Sequence, residues 1–162
     1  MQNVPNSVSA QQAPAIAVVI PCFRVTAHVV AVLGAIGPEV HRIYCVDDAC
    51  PDGSGDLIRK QCADPRIVVL RHEFNQGVGG AARTGYLRAL ADGADIVVKV
   101  DGDGQMNPAL IPRFVTPILS GRADYTKGNR FFRLDSLRGM PASRKLGNAI
   151  LSFLTKLSSG YW

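Results

Sequence analysis

Ile96-Val97-Val98-Lys99-Val100 runs without a break into Asp101-Gly102-Asp103-Gly104-Gln105. The first five residues form a short, β-branched, nearly continuous apolar run, the pattern of a strand buried in a parallel sheet. In extended geometry a period of two puts Asp101, Asp103 and Gln105 on one side. Gly102 and Gly104 remove the intervening side chains and let the backbone turn. Three oxygen donors then converge at a strand's carboxyl end, a set suited to Mg²⁺ or Mn²⁺.

An isolated D-x-D is most often an acidic surface turn. Its place after a buried strand, with Gln105 added, favours the ligand set. An EF-hand loop is excluded, because its sixth position is Met106 rather than Gly and its twelfth is Pro112 rather than Glu. A metal at this point suits a nucleotide diphosphate, whose negative charge it stabilises as that group leaves a sugar carbon.

Working outward, Ala17 to Ile20, Ile43 to Val46, Ile67 to Leu70 and Tyr125 to Lys127 read as further strands. Helical spacing fills the gaps. Helices are expected over Thr26 to Ile36, Gly55 to Cys62, Gly79 to Ala91 with Ala82, Tyr86, Leu87 and Leu90 on one face, and Asn107-Pro108 to Ser120. Pro112 and Pro117 distort the last of these. A final amphipathic helix carries Leu146, Ala149, Ile150, Phe153, Leu154 and Leu157 on one stripe. Alternation of this kind predicts an α/β fold, a three-layer α/β/α arrangement round a mostly parallel sheet that binds ligands at its carboxyl edge.

Two other strand ends carry chemistry. Val46 is followed by Asp47-Asp48, where a carboxylate can accept hydrogen bonds from a nucleobase or ribose. The turn Pro51 to Asp56 then caps the second helix. Asn75-Gln76-Gly77-Val78-Gly79-Gly80 is a glycine-rich loop leading into a helix, whose backbone N–H groups can face an anion. Read as G-x-G-x-x-A, it also matches a dinucleotide fingerprint, but the first strand-helix turn, Pro21 to Arg24, has no glycine. Lys127-Gly128-Asn129-Arg130 supplies Arg130 as a partner for phosphate. His28, His41 and His72 stand at unrelated spacings and receive no role.

Composition bounds the rest. At 162 residues and 47% hydrophobic, the chain has the material for one compact domain, placed at residues 15–162 after a polar, disordered leader over residues 1–14. A formal charge of +5 is scattered, with no basic stripe, so a nucleic-acid partner is not expected. Cys22, Cys45, Cys50 and Cys62 contain no C-x-x-C pair and read as reduced thiols, placing the chain in the cytoplasm. No apolar run approaches the ~18 residues of a membrane span.

Taken in order, Val18-Val19-Ile20-Pro21-Cys22-Phe23, Val46-Asp47-Asp48, Asn75-x-Gly77-Val78-Gly79, Asp101-Gly102-Asp103-Gly104-Gln105 and Gly128-Asn129-Arg130 resemble family 2 glycosyltransferases. Within that family the D-x-D-x-Q and later G-[SN]-R motifs are most similar to those of dolichyl- and polyprenyl-phosphate sugar transferases. The resemblance implies a GT-A fold, a UDP- or GDP-linked sugar donor, a divalent cation, inversion at the sugar carbon, and a lipid-phosphate or glycan acceptor. By the same resemblance, Pro21, Phe23 and Asp48 line the nucleoside pocket with Asp47 beside it. Asp101, Asp103 and Gln105 hold the metal, while Arg130 and Arg144 contact phosphates.

Two departures stand out. Where the family reads Pro-x-Tyr-Asn-Glu, this chain has Pro21-Cys22-Phe23-Arg24-Val25 and lacks that carboxylate. The family's acceptor-side Asp and Gly-Tyr-Arg region, and the membrane helices of many relatives, are expected beyond Trp162, with association at the cytoplasmic face of a membrane through them. The competing readings are a non-catalytic nucleotide-sugar-binding module and, on the Gly77 loop, a nicotinamide-dependent oxidoreductase.

Overall fold

A computed structural model describes residues 13–128 and 142–159. The chain divides into two compact units, one ending at Thr126 and the other starting at Lys127. Of the leader read over residues 1–14, only Ala13 and Pro14 fall within the described residues, as exposed coil.

The first unit runs β1 (Ile16–Cys22), α1 (Val29–Gly34), β2 (Arg42–Asp47), α2 (Ser54–Gln61), β3 (Ile67–Arg71), α3 (Gly77–Ala91) and β4 (Ile96–Lys99). A 3-10 turn over Pro108–Leu110 then leads into α4 (Ile111–Leu119). The four strands are parallel, in the order β3-β2-β1-β4. The chain therefore steps outward from β1 to β3 and returns to the other side of β1. Between β1 and β4 lies a topological switch point, where the following loops diverge and leave a crevice.

Period-two alternation sorts the strand residues onto two faces. Val18, Ile20, Ile43 and Cys45 pack with Val29, Leu33, Ile58, Ile111 and Val115, so α1, α2 and α4 cover one face. Ala17, Val19, Tyr44 and Val46 pack with Ala81 and Ala89 of α3 on the other. Each fully buried Val or Ile adds ~1.5–3 kcal/mol of transfer free energy. The expected three-layer arrangement is thus realised.

Two expectations are corrected. The buried stripe of α3 is Ala81, Ala82, Gly85 and Ala89, whereas Tyr86, Leu87 and Leu90 are exposed. Close approach to β1 explains this: a Cβ on Gly85 would lie 2.3 Å from Val19 Cγ1, so only small residues fit beneath the helix. The second concerns Tyr125 to Lys127, which is coil rather than a strand. Tyr125 is 75% exposed, and Thr126 is held through its hydroxyl, which donates to the Phe114 carbonyl at 2.9 Å, not through a backbone ladder.

The expected helix from Asn107 opens as a 3-10 turn. Asn107 Oδ1 accepts from the Ala109 N–H at 3.0 Å, and regular α-helix begins at Ile111. In the second unit, α5 (Ala142–Ser159) forms as expected, with Ile150, Phe153, Leu154 and Leu157 exposed. Among the described residues no helix is long and apolar enough to cross a membrane.

Candidate functional site

A cleft of about 370 Å³ opens at the carboxyl edge of the sheet. Pro21 and Phe23 from the end of β1, Asp48 after β2, Gly77 at the start of α3, and Asp101 and Asp103 after β4 all line it. Strand register brings them together. Cys22 lies beside Asp47 and Val19 beside Lys99, which sets Asp48 just past the tip of β1 and Asp101 level with Pro21. Residues from three strand ends, far apart in sequence, therefore share one wall.

Asp47 and Asp48 part company because successive strand residues point to opposite faces. Asp47 does not line the cleft. It is 0% exposed on the α2 side, where its Oδ1 accepts from the Cys50 N–H at 2.9 Å. Oδ2 has no hydrogen-bond partner, and Arg71 Nε stands 3.9 Å from it. Gly55 makes this fit, since a Cβ there would lie 2.5 Å from Asp47 Oδ2. Asp47 thus braces the turn into α2.

Asp48 turns to the α3 side, 2% exposed, and needs hydrogen bonds to be buried as a carboxylate. Its Oδ1 accepts from the Gln76 N–H at 2.9 Å and sits 2.7 Å from His72 Nδ1. His72 Nε2 lies 2.9 Å from Thr84 Oγ1 on α3. Sequence reasoning missed this partner, which the strand register supplies: Asp47 pairs with Arg71 across β2 and β3, so the next residues, Asp48 and His72, fall side by side.

At the end of β4, Asp101 forms an ion pair with Lys99, on the same face two residues earlier. Gly102 is buried against Val25 and Ile20, and a Cβ there would meet both at 3.2–3.3 Å. Asp103 Oδ1 accepts from the Gln105 N–H at 3.0 Å. Extended geometry ends earlier than expected: β4 stops at Lys99, Gly102 and Asp103 form a turn, and Gly104 has φ +76°. The alternation expected to carry Asp103 and Gln105 to the side of Asp101 is therefore broken; Asp103 still lines the cleft, and Gln105 does not.

Among the described residues no group of three His, Cys, Asp or Glu surrounds a point. Two carboxylates at one cleft nonetheless fit a hard divalent ion, which typically keeps waters and takes one or two carboxylates plus substrate phosphates. Three carboxylates on this wall, Asp48, Asp101 and Asp103, repel a diphosphate that arrives without a cation.

Gly77, with φ +77°, lines the cleft and donates its N–H to Asn75 Oδ1 at 2.9 Å. Gly79 lies in the first turn of α3, exposed and outside the cleft, where Val78 and Ala81 contribute instead. Arg130 lies outside the described residues, as does the side chain of Arg144 on α5.

One thiol, Cys22, lines the cleft, and a second, Cys50, lines a separate pocket with Arg71 and His72. Hydrogen bonding to Cys45, then burial, holds the Cys22 thiol in the cleft wall far above its ordinary value, so it stays neutral. Burial pushes Cys50 up, but the Ser54 hydroxyl and the N–H groups of Arg24, Ser54 and Asp52 outweigh it and leave the thiol below its ordinary value.

The family model described as Glycosyl transferase family 2 matches residues 17–160. A UDP-N-acetylglucosamine–dolichyl-phosphate N-acetylglucosaminyltransferase of Methanococcus voltae is 40% identical over 97 residues, 60% of this chain and 39% of that protein. An undecaprenyl-phosphate mannosyltransferase of Micrococcus luteus is 32% identical over 79% of this chain and 53% of its own. The chain spans about half the length, or less, of these relatives. Among solved structures, TarS 1-349 of S. aureus in complex with UDP-GlcNAc has a similar fold, with a TM-score of 0.57 and 20% identity over 80% of this chain and 37% of that one.

Proposed function

This chain belongs to glycosyl transferase family 2, and we propose that it is the donor-binding part of an enzyme that transfers a sugar, with inversion, from a nucleotide diphosphate to a polyprenyl phosphate. The observation that carries this reading is the single cleft shared by Asp48, Asp101 and Asp103 at the β1/β4 switch point. Asp48 accepts hydrogen bonds from the nucleoside, against the ring of Phe23 and the fixed backbone of Pro21. Asp101 and Asp103 hold Mg²⁺ or Mn²⁺, with Gln105 supporting Asp103 through its backbone N–H. When bound, that ion supplies Lewis-acid stabilisation of the charge gathering on the departing diphosphate.

Val25, where the family's pattern has a carboxylate, is buried against Gly102. Nucleoside recognition on this side of the cleft then falls to Asp48. A phosphate acceptor is already ionised and requires no general base. The names of the relatives support a lipid-phosphate acceptor, since both are named for transfer to such a carrier. Arg130 and Arg144 are assigned to donor or acceptor phosphates, and the cytoplasmic face of a membrane is the place where a lipid acceptor is met.

Equilibrium binding of labelled UDP- and GDP-sugars to the chain, with Mn²⁺ and with EDTA, tests the proposal. Retention of one donor in Mn²⁺, and its loss with EDTA, is expected. Retention that persists in EDTA, or none of any donor, contradicts it.

A further inference from the structure

We propose that His72 is a positioning residue that aims the Asp48 carboxylate into the cleft. The inference rests on the reading of Asp48 as the nucleoside's hydrogen-bond acceptor.

A carboxylate on a strand tip swings about two torsions, and a ligand held by one of its oxygens needs that oxygen fixed in advance. Asp48 is fixed through the other oxygen. Oδ1 receives the Gln76 N–H at 2.9 Å and faces His72 Nδ1 at 2.7 Å. No described residue donates to Oδ2, which remains for a ligand. An ionised carboxylate has no proton to give, so His72 Nδ1 must carry the hydrogen in this pair. Nε2 then meets Thr84 Oγ1 at 2.9 Å, a hydroxyl able to donate or accept.

The ring is itself immobilised, because the His72 side chain is 7% exposed and held at both nitrogens. Thr84 stands one turn along α3 from Ala81, which lines the cleft. Through His72, the helix that forms one wall of the cleft therefore sets the angle of the carboxylate on the other. His72 contacts the carboxylate from behind and does not line the cleft.

The test is calorimetric titration of this chain, in Mn²⁺, with UDP, GDP and inorganic pyrophosphate. His72→Phe keeps the ring's bulk and removes both hydrogen bonds. It weakens the better-bound nucleoside diphosphate about tenfold, equivalent to ~1.4 kcal/mol. Pyrophosphate, which has no nucleoside to reach Asp48, binds as before. His72→Asn, whose amide N–H stands where Nδ1 did, recovers most of the loss, and Thr84→Val weakens binding a few-fold. In an Asp48→Ala background His72→Phe has no further effect.

Unchanged nucleoside diphosphate affinity in His72→Phe overturns the inference. So does an equal loss of pyrophosphate affinity, which marks general damage to the site. Should His72→Phe fail to fold, Thr84→Val carries the same comparison, with nucleoside diphosphate weakened a few-fold and pyrophosphate unchanged, and affinities equal to those of the unsubstituted chain overturn the inference. Failure of the unsubstituted chain to bind either nucleotide removes instead the reading of the cleft on which the inference stands.

Discussion

Lys99 and Asp101, two residues apart and on one face at the end of β4, form an ion pair at the edge of the cleft. Both side chains are about a third exposed, so the pair adds little to stability. Its consequence is local charge: the Lys99 ammonium offsets one of the two carboxylates assigned to the metal.

Lys99→Gln removes that competing cation. Two unit charges about 4 Å apart in water interact by ~1 kcal/mol, so Mn²⁺ binding without nucleotide should tighten about fivefold. Titration followed by the free Mn²⁺ spin-resonance signal measures it. Unchanged or weaker binding contradicts the placement of the ion beside Asp101.

Gly85 and Gly79 occupy the same helix and predict opposite outcomes. A Cβ on Gly85 meets Val19 Cγ1 at 2.3 Å, while one on Gly79 meets nothing within 4 Å. Gly85→Ala overpacks the α3–β1 interface and lowers stability by ~1–3 kcal/mol. Gly79→Ala raises it by up to ~1 kcal/mol through helix propensity. Urea unfolding distinguishes them, and equal shifts refute the close packing described for α3. Nucleotide binding unaffected by Gly79→Ala is also expected, since that residue lies outside the cleft.

Tyr44 and Asp92 give the stability its pH dependence. The Tyr44 hydroxyl donates to Asp92 Oδ2 at 2.7 Å, and Arg88 Nε donates to the same oxygen at 2.8 Å. Burial, then Asp92, pushes the Tyr44 phenol up to about 12. The Tyr44 hydroxyl, then Arg88, holds Asp92 below the usual carboxylate range. From ~10, where an unfolded tyrosine ionises, to about 12, the folded chain keeps a proton that the unfolded chain has lost. Stability therefore falls as pH rises through that window. At the acid end, Asp92's contribution is present above ~4 and lost as pH falls through its lowered value. Tyr44→Phe should lessen the alkaline slope, leaving the share that the raised Cys22 thiol contributes, and flatten the acid one in urea unfolding at pH 3, 7 and 11. An identical profile for both proteins counts against this network.

Much of this was legible from residue order alone. Apolar runs identified the four strands, and strand-helix alternation indicated that they run parallel; the order β3-β2-β1-β4 was not legible, because a crossover alone does not say which edge the next strand joins. Pro21, Phe23, Asp48, Gly77, Asp101 and Asp103 were all expected at the carboxyl edge, where they share the cleft. What escaped depended on tertiary contact. Period two separates Asp47 from Asp48 but does not say which faces the ligand, because that is decided by where α3 packs. Tyr86, Leu87 and Leu90 formed the more apolar stripe of α3, yet a helix drawn close over Val19 must bury Ala and Gly. Gln105 was lost to the turn that starts at Gly102 and runs through Gly104. His72 acquires its place only from the β2/β3 register, which spacing along the chain does not reveal.

The most direct measurement is calorimetric titration of UDP and GDP into the chain with Mn²⁺ and with EDTA, compared with the Asp101→Asn/Asp103→Asn variant. Mn²⁺ should raise affinity for one nucleotide at least tenfold in the unsubstituted chain and leave the variant unchanged. Metal-independent binding, or the same enhancement in the variant, contradicts a divalent ion held at the end of β4.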